Sequence, residues 1–101
     1  MTSMIEGWRS AWNNPPALKN FTFILHQLSA YAAPATVNAL RWSQLGAATR
    51  FSGLPKVGVT VGIDLYDAGS PCGNVHIRNK TAVGERMALA AEALAYSSTG
   101  R

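Results

Sequence analysis

A polar segment late in the sequence holds several of the residues that could do chemistry. Residues 67–80 read DAGSPCGNVHIRNK and include His76, one of two histidines, and Cys72, the single cysteine. Of the only two aspartates, Asp67 is the first residue of this segment and Asp64 lies three residues before it. A carboxylate beside an imidazole orients the ring and stabilises its protonated form, so that the ring can act as a general base. The segment is therefore a candidate catalytic loop.

The residues around this loop predict a strand before it and a helix after it. In KVGVTVGIDLY (56–66), valine and isoleucine alternate with glycine and threonine, which is typical of a half-buried strand. Gly58 and Gly62 lie on the second face of that strand and predict that another group packs very closely there. Asn79 can cap a helix that runs to about residue 97. The predicted buried stripe of this helix consists of Val83, Met87, Ala91 and Leu94.

The first half of the sequence predicts two more helices and one ambiguous segment. Apolar residues three and four apart predict a helix at the start, which Pro15 ends. A second, short helix is expected over 37–46. The run FTFILHQL (21–28) fits a helix by its spacing, and it fits a buried strand by its length and aromatic content.

In this order the elements predict an α/β fold with parallel strands, in one domain that covers residues 1–101. Two strands separated by a helix normally join a parallel sheet, with helices against its faces. Ligands of such sheets bind at the carboxyl ends of the strands. Asp64, Asp67 and His76 lie at and just beyond that end of the predicted strand, so their position alone favours chemistry there.

Composition excludes some classes of protein and leaves one alternative open. No stretch is apolar over the roughly 18 residues that a membrane span needs, and the first residues lack the pattern of a signal peptide. One cysteine excludes an internal disulfide, and the spacing of His26, Cys72 and His76 fits no zinc pattern. A net charge of +4 is compatible with a small nucleic-acid-binding module that uses Arg41 and Arg50, although the basic residues are scattered.

Six blocks of the sequence, in order, resemble the sialate O-acetylesterases, which are SGNH-type hydrolases. MIEGWR resembles a MIEDWR-like helix, the run ending in HQL resembles an aromatic strand ending in VQL, and RWSQ resembles RWHQ. Three later blocks of the family also have counterparts here. Its strand with DLxD resembles LPKVGVTVGIDLYD, its polar loop with IHPRDK resembles SPCGNVHIRNK, and its closing helix resembles TAVGERMALAAEALAYS. The resemblance implies the C-terminal part of a three-layer αβα catalytic domain, and it favours a strand for residues 21–28.

The resemblance also implies roles for residues of the polar loop. The family removes O-acetyl groups from sialic acids through a serine, and its general base is the histidine that corresponds to His76. In most SGNH hydrolases the orienting acid stands three residues before this histidine, at the position of Gly73. Asp67 and Asp64 match the DLxD block and are the remaining candidates, with Asp67 favoured on reach. Ile77 replaces the usual proline, which is expected to loosen the loop.

Four further residues match the family where a sugar pocket is implied: Gln27 at the strand end, and Arg41, Trp42 and Gln44 in RWSQ. An aromatic ring and a guanidinium suit an anionic sialic acid. The alternative is that Trp42 belongs to the core and that Arg41 is a solvated charge. The implied substrate is an acetylated sugar, and a serine esterase needs neither cofactor nor metal. The family suggests a lysosomal, secreted or periplasmic location.

The nucleophile of the family has no counterpart in these 101 residues. None of the eight serines stands in a GDS-like, GQSN-like or GxSxG turn. The chain is therefore expected to hold the base without the serine, and alone not to hydrolyse acetyl esters measurably. The N-terminal part of the catalytic domain is the expected partner. A non-catalytic sugar-binding remnant is an alternative, as is the nucleic-acid-binding module.

Overall fold

The order of helices and strands is that of a small α/β unit. The computed structural model describes residues 1–12, 21–30, 35–49, 53–73 and 75–96. These ranges contain helix α1 (Thr2–Ala11), strand β1 (Phe23–Gln27), helix α2 (Ala35–Ala47), strand β2 (Val57–Val61) and helix α3 (Lys80–Ala91). A 3-10 turn, Ile63–Leu65, follows β2, and α3 continues as a π-helical turn, Glu92–Tyr96. The predicted α/β class is confirmed.

β1 and β2 form a two-stranded parallel sheet. Phe23 pairs with Val57 at one end, and Gln27 pairs with Val61 at the other. The ambiguous run 21–28 is therefore a strand, and α2 provides the crossover that a parallel pair requires. We call the edge at which β1 ends at Gln27 and β2 ends at Val61 the carboxyl edge of the sheet.

Helices lie against both faces of the sheet. On one face, Ile5 of α1 and Ala47 of α2 pack with Leu25 and Val57, and all four side chains are buried. On the other face, α3 packs against both strands, and Leu94 of the turn that follows it packs against β2. The result is three layers in the order helix, sheet, helix, which matches the predicted αβα arrangement.

Arg9 joins α1 to the beginning of both strands. Its Nη2 atom donates to the carbonyl of Phe21, just before β1, and to that of Pro55, just before β2, each at 2.8 Å. Its guanidinium also lies over the Phe21 ring, with Cζ 5.6 Å from the ring centre. α1 is thus tied to the end of the sheet opposite the carboxyl edge.

Gly58 in β2 and Gly62 directly after it admit very close neighbours, as the sequence pattern predicts. A Cβ atom on Gly58 would lie 2.5 Å from Cδ1 of Leu94. A Cβ atom on Gly62 would overlap the His26 ring and lie 3.0 Å from Cδ1 of Ile77. A side chain at either position would therefore have to displace its neighbours.

His26 is packed between the sheet and α3. Its Nδ1 atom forms a hydrogen bond of 2.8 Å with Oγ1 of Thr60, its partner in the strand register. Its Nε2 atom is buried and has no hydrogen-bond partner among the described residues. Burial lowers the pKa of His26, and the positive charges of Arg86 and Lys80 lower it further. The ring is therefore neutral near pH 7.

The third helix begins as the sequence predicts. Oδ1 of Asn79 accepts a hydrogen bond of 3.1 Å from the amide of Ala82, so Asn79 is the N-cap of α3. The predicted end near residue 97 lies outside the described residues. In the described part of the chain, no helix combines the length and the apolar character that crossing a membrane requires.

Substituting Gly62 tests the close contact beneath α3. We expect Gly62→Ala to lower the free energy of unfolding by about 1–3 kcal/mol, because the added methyl group overlaps the His26 ring. Gly84→Ala is the matched control: it lies within α3, a Cβ atom there meets nothing within 4 Å, and alanine favours a helix. Denaturant unfolding of both variants checks this. Equal stability of the two variants would contradict the packing described above.

The buried imidazole predicts how stability depends on pH. The unfolded chain binds a proton at His26 near the ordinary pKa of 6.5, before the folded chain does. The free energy of unfolding should therefore fall as the pH drops below about 6.5, until the folded state is protonated as well. Unfolding midpoints between about pH 8 and about pH 5 measure this loss. His26→Asn should have a shallower pH dependence, and identical slopes in the two proteins would show that His26 is not the responsible group.

Candidate active site

His76 stands on a loop whose neighbouring residues are anchored on both sides. The hydroxyl of Ser29, two residues beyond β1, donates to the carbonyl of Val75 at 3.1 Å, and Ser29 is only 1% exposed. Ile77 is buried, with 6% of its surface exposed, and lies close to Gly62. His76 itself is exposed. The imidazole is thus presented to solvent near the carboxyl edge, between two fixed residues.

The backbone between Asp67 and His76 consists of successive tight turns. The amide of Ser70 donates to the carbonyl of Asp67 at 3.2 Å. The amide of Gly73 donates to the carbonyl of Ser70 at 3.1 Å, and the amide of His76 donates to the carbonyl of Gly73 at 2.9 Å. Gly73 has a φ of +96°, a left-handed conformation that side chains disfavour. This conformation favours glycine at the position where the resemblance implies an acid. Asn74 lies outside the described residues.

Ile77 was expected to loosen this loop, but its buried side chain anchors the loop instead. Proline would restrict the backbone at that position, whereas Ile77 restricts it by placing its side chain in the interior against Gly62. Burying an isoleucine side chain contributes roughly 1.5–3 kcal/mol, so this anchor is substantial.

Arginines bind the two aspartates that were considered as partners of His76. Arg86 donates to both carboxylate oxygens of Asp64 at 2.7 and 2.6 Å, and these hydrogen bonds lower the pKa of Asp64 to about 2. Arg78 donates to both oxygens of Asp67 and lowers the pKa of that carboxyl. In the described ranges, no hydrogen bond joins either carboxylate to the His76 ring.

A cavity of about 350 Å³ opens beside the end of β1. Its lining consists of Gln27, Asn38, Arg41, Trp42 and Leu45. Three of the four residues predicted to bind a sugar therefore share one cavity. Trp42 is 71% exposed, so the alternative that it belongs to the core is wrong. The fourth residue, Gln44, does not line the cavity: its side chain accepts from the amide of Leu28 and donates to the carbonyl of His26.

Gln27 and Arg41 hold each other in place within the cavity wall. The Gln27 amide donates to the backbone carbonyl of Arg41 at 2.9 Å, and Nη2 of Arg41 donates to Oε1 of Gln27 at 3.3 Å. Among the described residues, Arg41 forms no salt bridge, and its buried Nε atom has no hydrogen-bond partner. The guanidinium therefore keeps an uncompensated positive charge and donor capacity for an anionic ligand.

Sequence reasoning missed three residues of this region: Asn38, Leu45 and Ser29. Asn38 and Leu45 lie three residues before and four residues after Arg41 in α2, so they share its helical face, and that spacing was the available signal. Ser29 had no sequence signal, since its role depends on contact with a loop 46 residues away. No group of three potential metal ligands occurs in the described ranges.

The chain is similar over nearly its whole length to one portion of mammalian sialate O-acetylesterases. It is 30% identical to the sialate O-acetylesterase of Rattus norvegicus over 103 residues, which cover 93% of this chain and 19% of that protein. Identity is 31% to the protein of Mus musculus, over 92% of this chain and 19% of the relative. The identity to the protein of Homo sapiens is also 31%, over 93% of this chain and 20% of that protein. No family model matches the chain.

The similarity covers nearly all of this chain but only a small part of each relative. The chain spans about a fifth of the length of the curated relatives it matches, and the match leaves almost none of the chain unaligned. The parallel sheet, the loop with His76 and the cavity beside Gln27 all lie within a chain that aligns almost completely. This similarity is consistent with a segment of the sialate O-acetylesterase family that has about one fifth of the length of the relatives.

Proposed function

We propose that the chain serves in the hydrolysis of acetyl esters on sialic acid or a related sugar, with His76 as the general base. The observation that carries this proposal is the similarity to sialate O-acetylesterases over 93% of the chain. The geometry supports it, since His76 is exposed near the carboxyl edge while both of its neighbours are anchored. The ring would take the proton of a serine hydroxyl and return it to the leaving sugar alcohol.

The cavity beside β1 is the proposed sugar-binding site. Arg41 would pair with the carboxylate of a sialic acid, and the exposed Trp42 ring would stack on the sugar. Gln27 would add an amide at the rim while keeping Arg41 in place. Gln44 would contribute indirectly, because its two hydrogen bonds connect α2 to the end of β1.

The nucleophilic serine is proposed to come from outside these residues. The relatives are about five times as long as the stretch that matches, and the chain has no serine in a motif of the nucleophile. A carboxylate that orients His76 would also have to be supplied. Asp67 or Asp64 could do so only by leaving its arginine. A sugar-binding role without catalysis is the second candidate, and the intact cavity favours it.

The nucleic-acid-binding alternative loses support from the placement of the arginines. Arg9, Arg78 and Arg86 bind carbonyls or carboxylates of the chain itself, and Arg41 lines a cavity. Arg50, the other residue considered for this role, lies outside the described residues. We therefore propose that the ligand is a sugar and that nucleic acid is not a partner.

Transplanting the chain into a relative tests His76 as the base. The matching segment of the Rattus norvegicus sialate O-acetylesterase would be replaced by these residues, and acetate release from an O-acetylated sialic acid would be measured. We expect activity in the chimera and a loss of several orders of magnitude on His76→Ala, because a general base in a triad acts as a unit with the nucleophile. The chain alone should release no p-nitrophenol from its acetyl ester.

Two controls keep this test decisive. His26→Asn in the same chimera removes the other histidine of the chain, which is packed under α3, and should leave activity near that of the parent chimera. Thermal unfolding of each chimera confirms that it is folded. A folded chimera that is inactive, or one that keeps its activity with His76→Ala, would refute the proposed role.

Substituting Arg41 tests the sugar-binding site independently of catalysis. We expect the chain to bind N-acetylneuraminic acid more tightly than its neutral methyl ester, with amide shifts around Gln27 and Arg41 in NMR titration. Arg41→Gln should weaken binding by about tenfold or more, because it removes a charge-assisted hydrogen bond. Arg86→Gln is the matched control, since that arginine pairs with Asp64 and does not line the cavity. Equal affinity for acid and ester would contradict the proposed contact.

A further inference from the structure

The loop that carries His76 is closed at its two ends by a single ion pair. Arg78 donates through Nε and Nη2 to the two carboxylate oxygens of Asp67, with 2.9 Å between Nη2 and Oδ1. On the basis of the proposed function of His76, we infer that Asp67 is a positioning residue, which closes the base-carrying loop through Arg78. It is not the carboxylate that orients the imidazole. We call the Asp67–Arg78 pair the clamp.

The path of the backbone shows how the clamp acts on His76. Three consecutive turns lead from the carbonyl of Asp67 to the amide of His76, and Arg78 follows two residues later. The clamp therefore fixes both ends of a segment whose interior is already divided into hydrogen-bonded turns. Holding the ends of a loop together reduces the number of conformations that the residues between them can adopt.

The hydrogen bonds of Asp67 leave it poorly suited to orient an imidazole. Its oxygens accept three hydrogen bonds, two from Arg78 and one of 3.0 Å from the amide of Gly69. A carboxylate has about four acceptor sites, so little capacity remains. Its negative charge is also paired with a guanidinium. The charge that would stabilise a protonated His76 is thereby largely neutralised.

Asp64 and Arg86 form a similar pair elsewhere and provide a matched comparison. Arg86 binds both oxygens of Asp64 and also donates to the carbonyl of Val61 at 2.6 Å. This pair joins α3 to the end of β2, two elements that already pack against each other, whereas the clamp joins the two ends of the His76 loop itself. The chemistry of the two pairs is the same, whereas the segment that each one restrains differs.

The test uses amide exchange and imidazole nitrogen shifts of the isotopically labelled chain. Asp67→Asn and Arg78→Gln should each raise the exchange rate of the His76 amide by about two- to five-fold, as expected for loss of an exposed ion pair. The double variant Asp67→Arg, Arg78→Asp should return that rate to within about twofold of the parent, because the reversed charges can pair again. The ring nitrogen shifts of His76 should stay unchanged throughout, and Arg86→Gln should leave the exchange of the His76 amide unchanged.

Two results would overturn the inference. One is a change in the ring nitrogen shifts with Asp67→Asn and none with Arg78→Gln, which would show that Asp67 binds the imidazole. The other is a reversed pair that exchanges as fast as the single variants. Neither result depends on ester hydrolysis, so a failure of the proposed function in the chimera assay is distinguishable from a failure of the clamp.

Discussion

The parallel register between β1 and β2 places the groups that this chain would contribute to the proposed chemistry. Because Gln27 pairs with Val61, both strands end at one edge, from which Gln27 reaches α2 and Ser29 reaches the loop beyond β2. A shift of the pairing by one residue would turn the side chains of β1 to the opposite face. Gln27 would then point away from Arg41, and His26 would leave its pocket beneath α3. The cavity beside Gln27, the histidine loop and the core therefore depend on the same backbone pairing.

The histidine loop holds a defined conformation without the acid and the proline that the resemblance implies in it. Gly73 stands where an acid is implied, and its left-handed backbone is part of two of the turns that lead to His76. Ile77 stands where a proline is implied, and it anchors the loop by burial of its side chain. Ser29 adds a third restraint from a different strand. The proposed base is thus held by turns, burial and a hydrogen bond, together with the Asp67–Arg78 clamp, and in the described residues no carboxylate is bonded to its ring.

Charge is distributed so that Arg41 differs from the other arginines described. Arg9 binds backbone carbonyls, while Arg78 and Arg86 bind the only two aspartates. Arg41 faces a cavity with no acid paired to it in the described residues. A net charge of +4 by itself suggested an acidic macromolecule, but three of the four arginines described are bound by backbone carbonyls or carboxylates of the chain itself. Arg41 is the exception, and this is the reason for proposing a small anionic sugar as the ligand.

Local patterns in the sequence determined the three helices, the strand at 57–61, the helix cap and the close contacts at the two glycines. Each depends on side-chain periodicity or backbone conformation within a few residues. The pattern alone left residues 21–28 undecided, because a short buried strand and a buried helix segment look alike until a neighbouring strand supplies hydrogen bonds. The partners of Asp64 and Asp67 were decided only by the tertiary structure. Both lie near His76 in the sequence, yet the fold brings each one to an arginine 22 or 11 residues away. An ion pair depends on distance in space, and no local pattern encodes that distance.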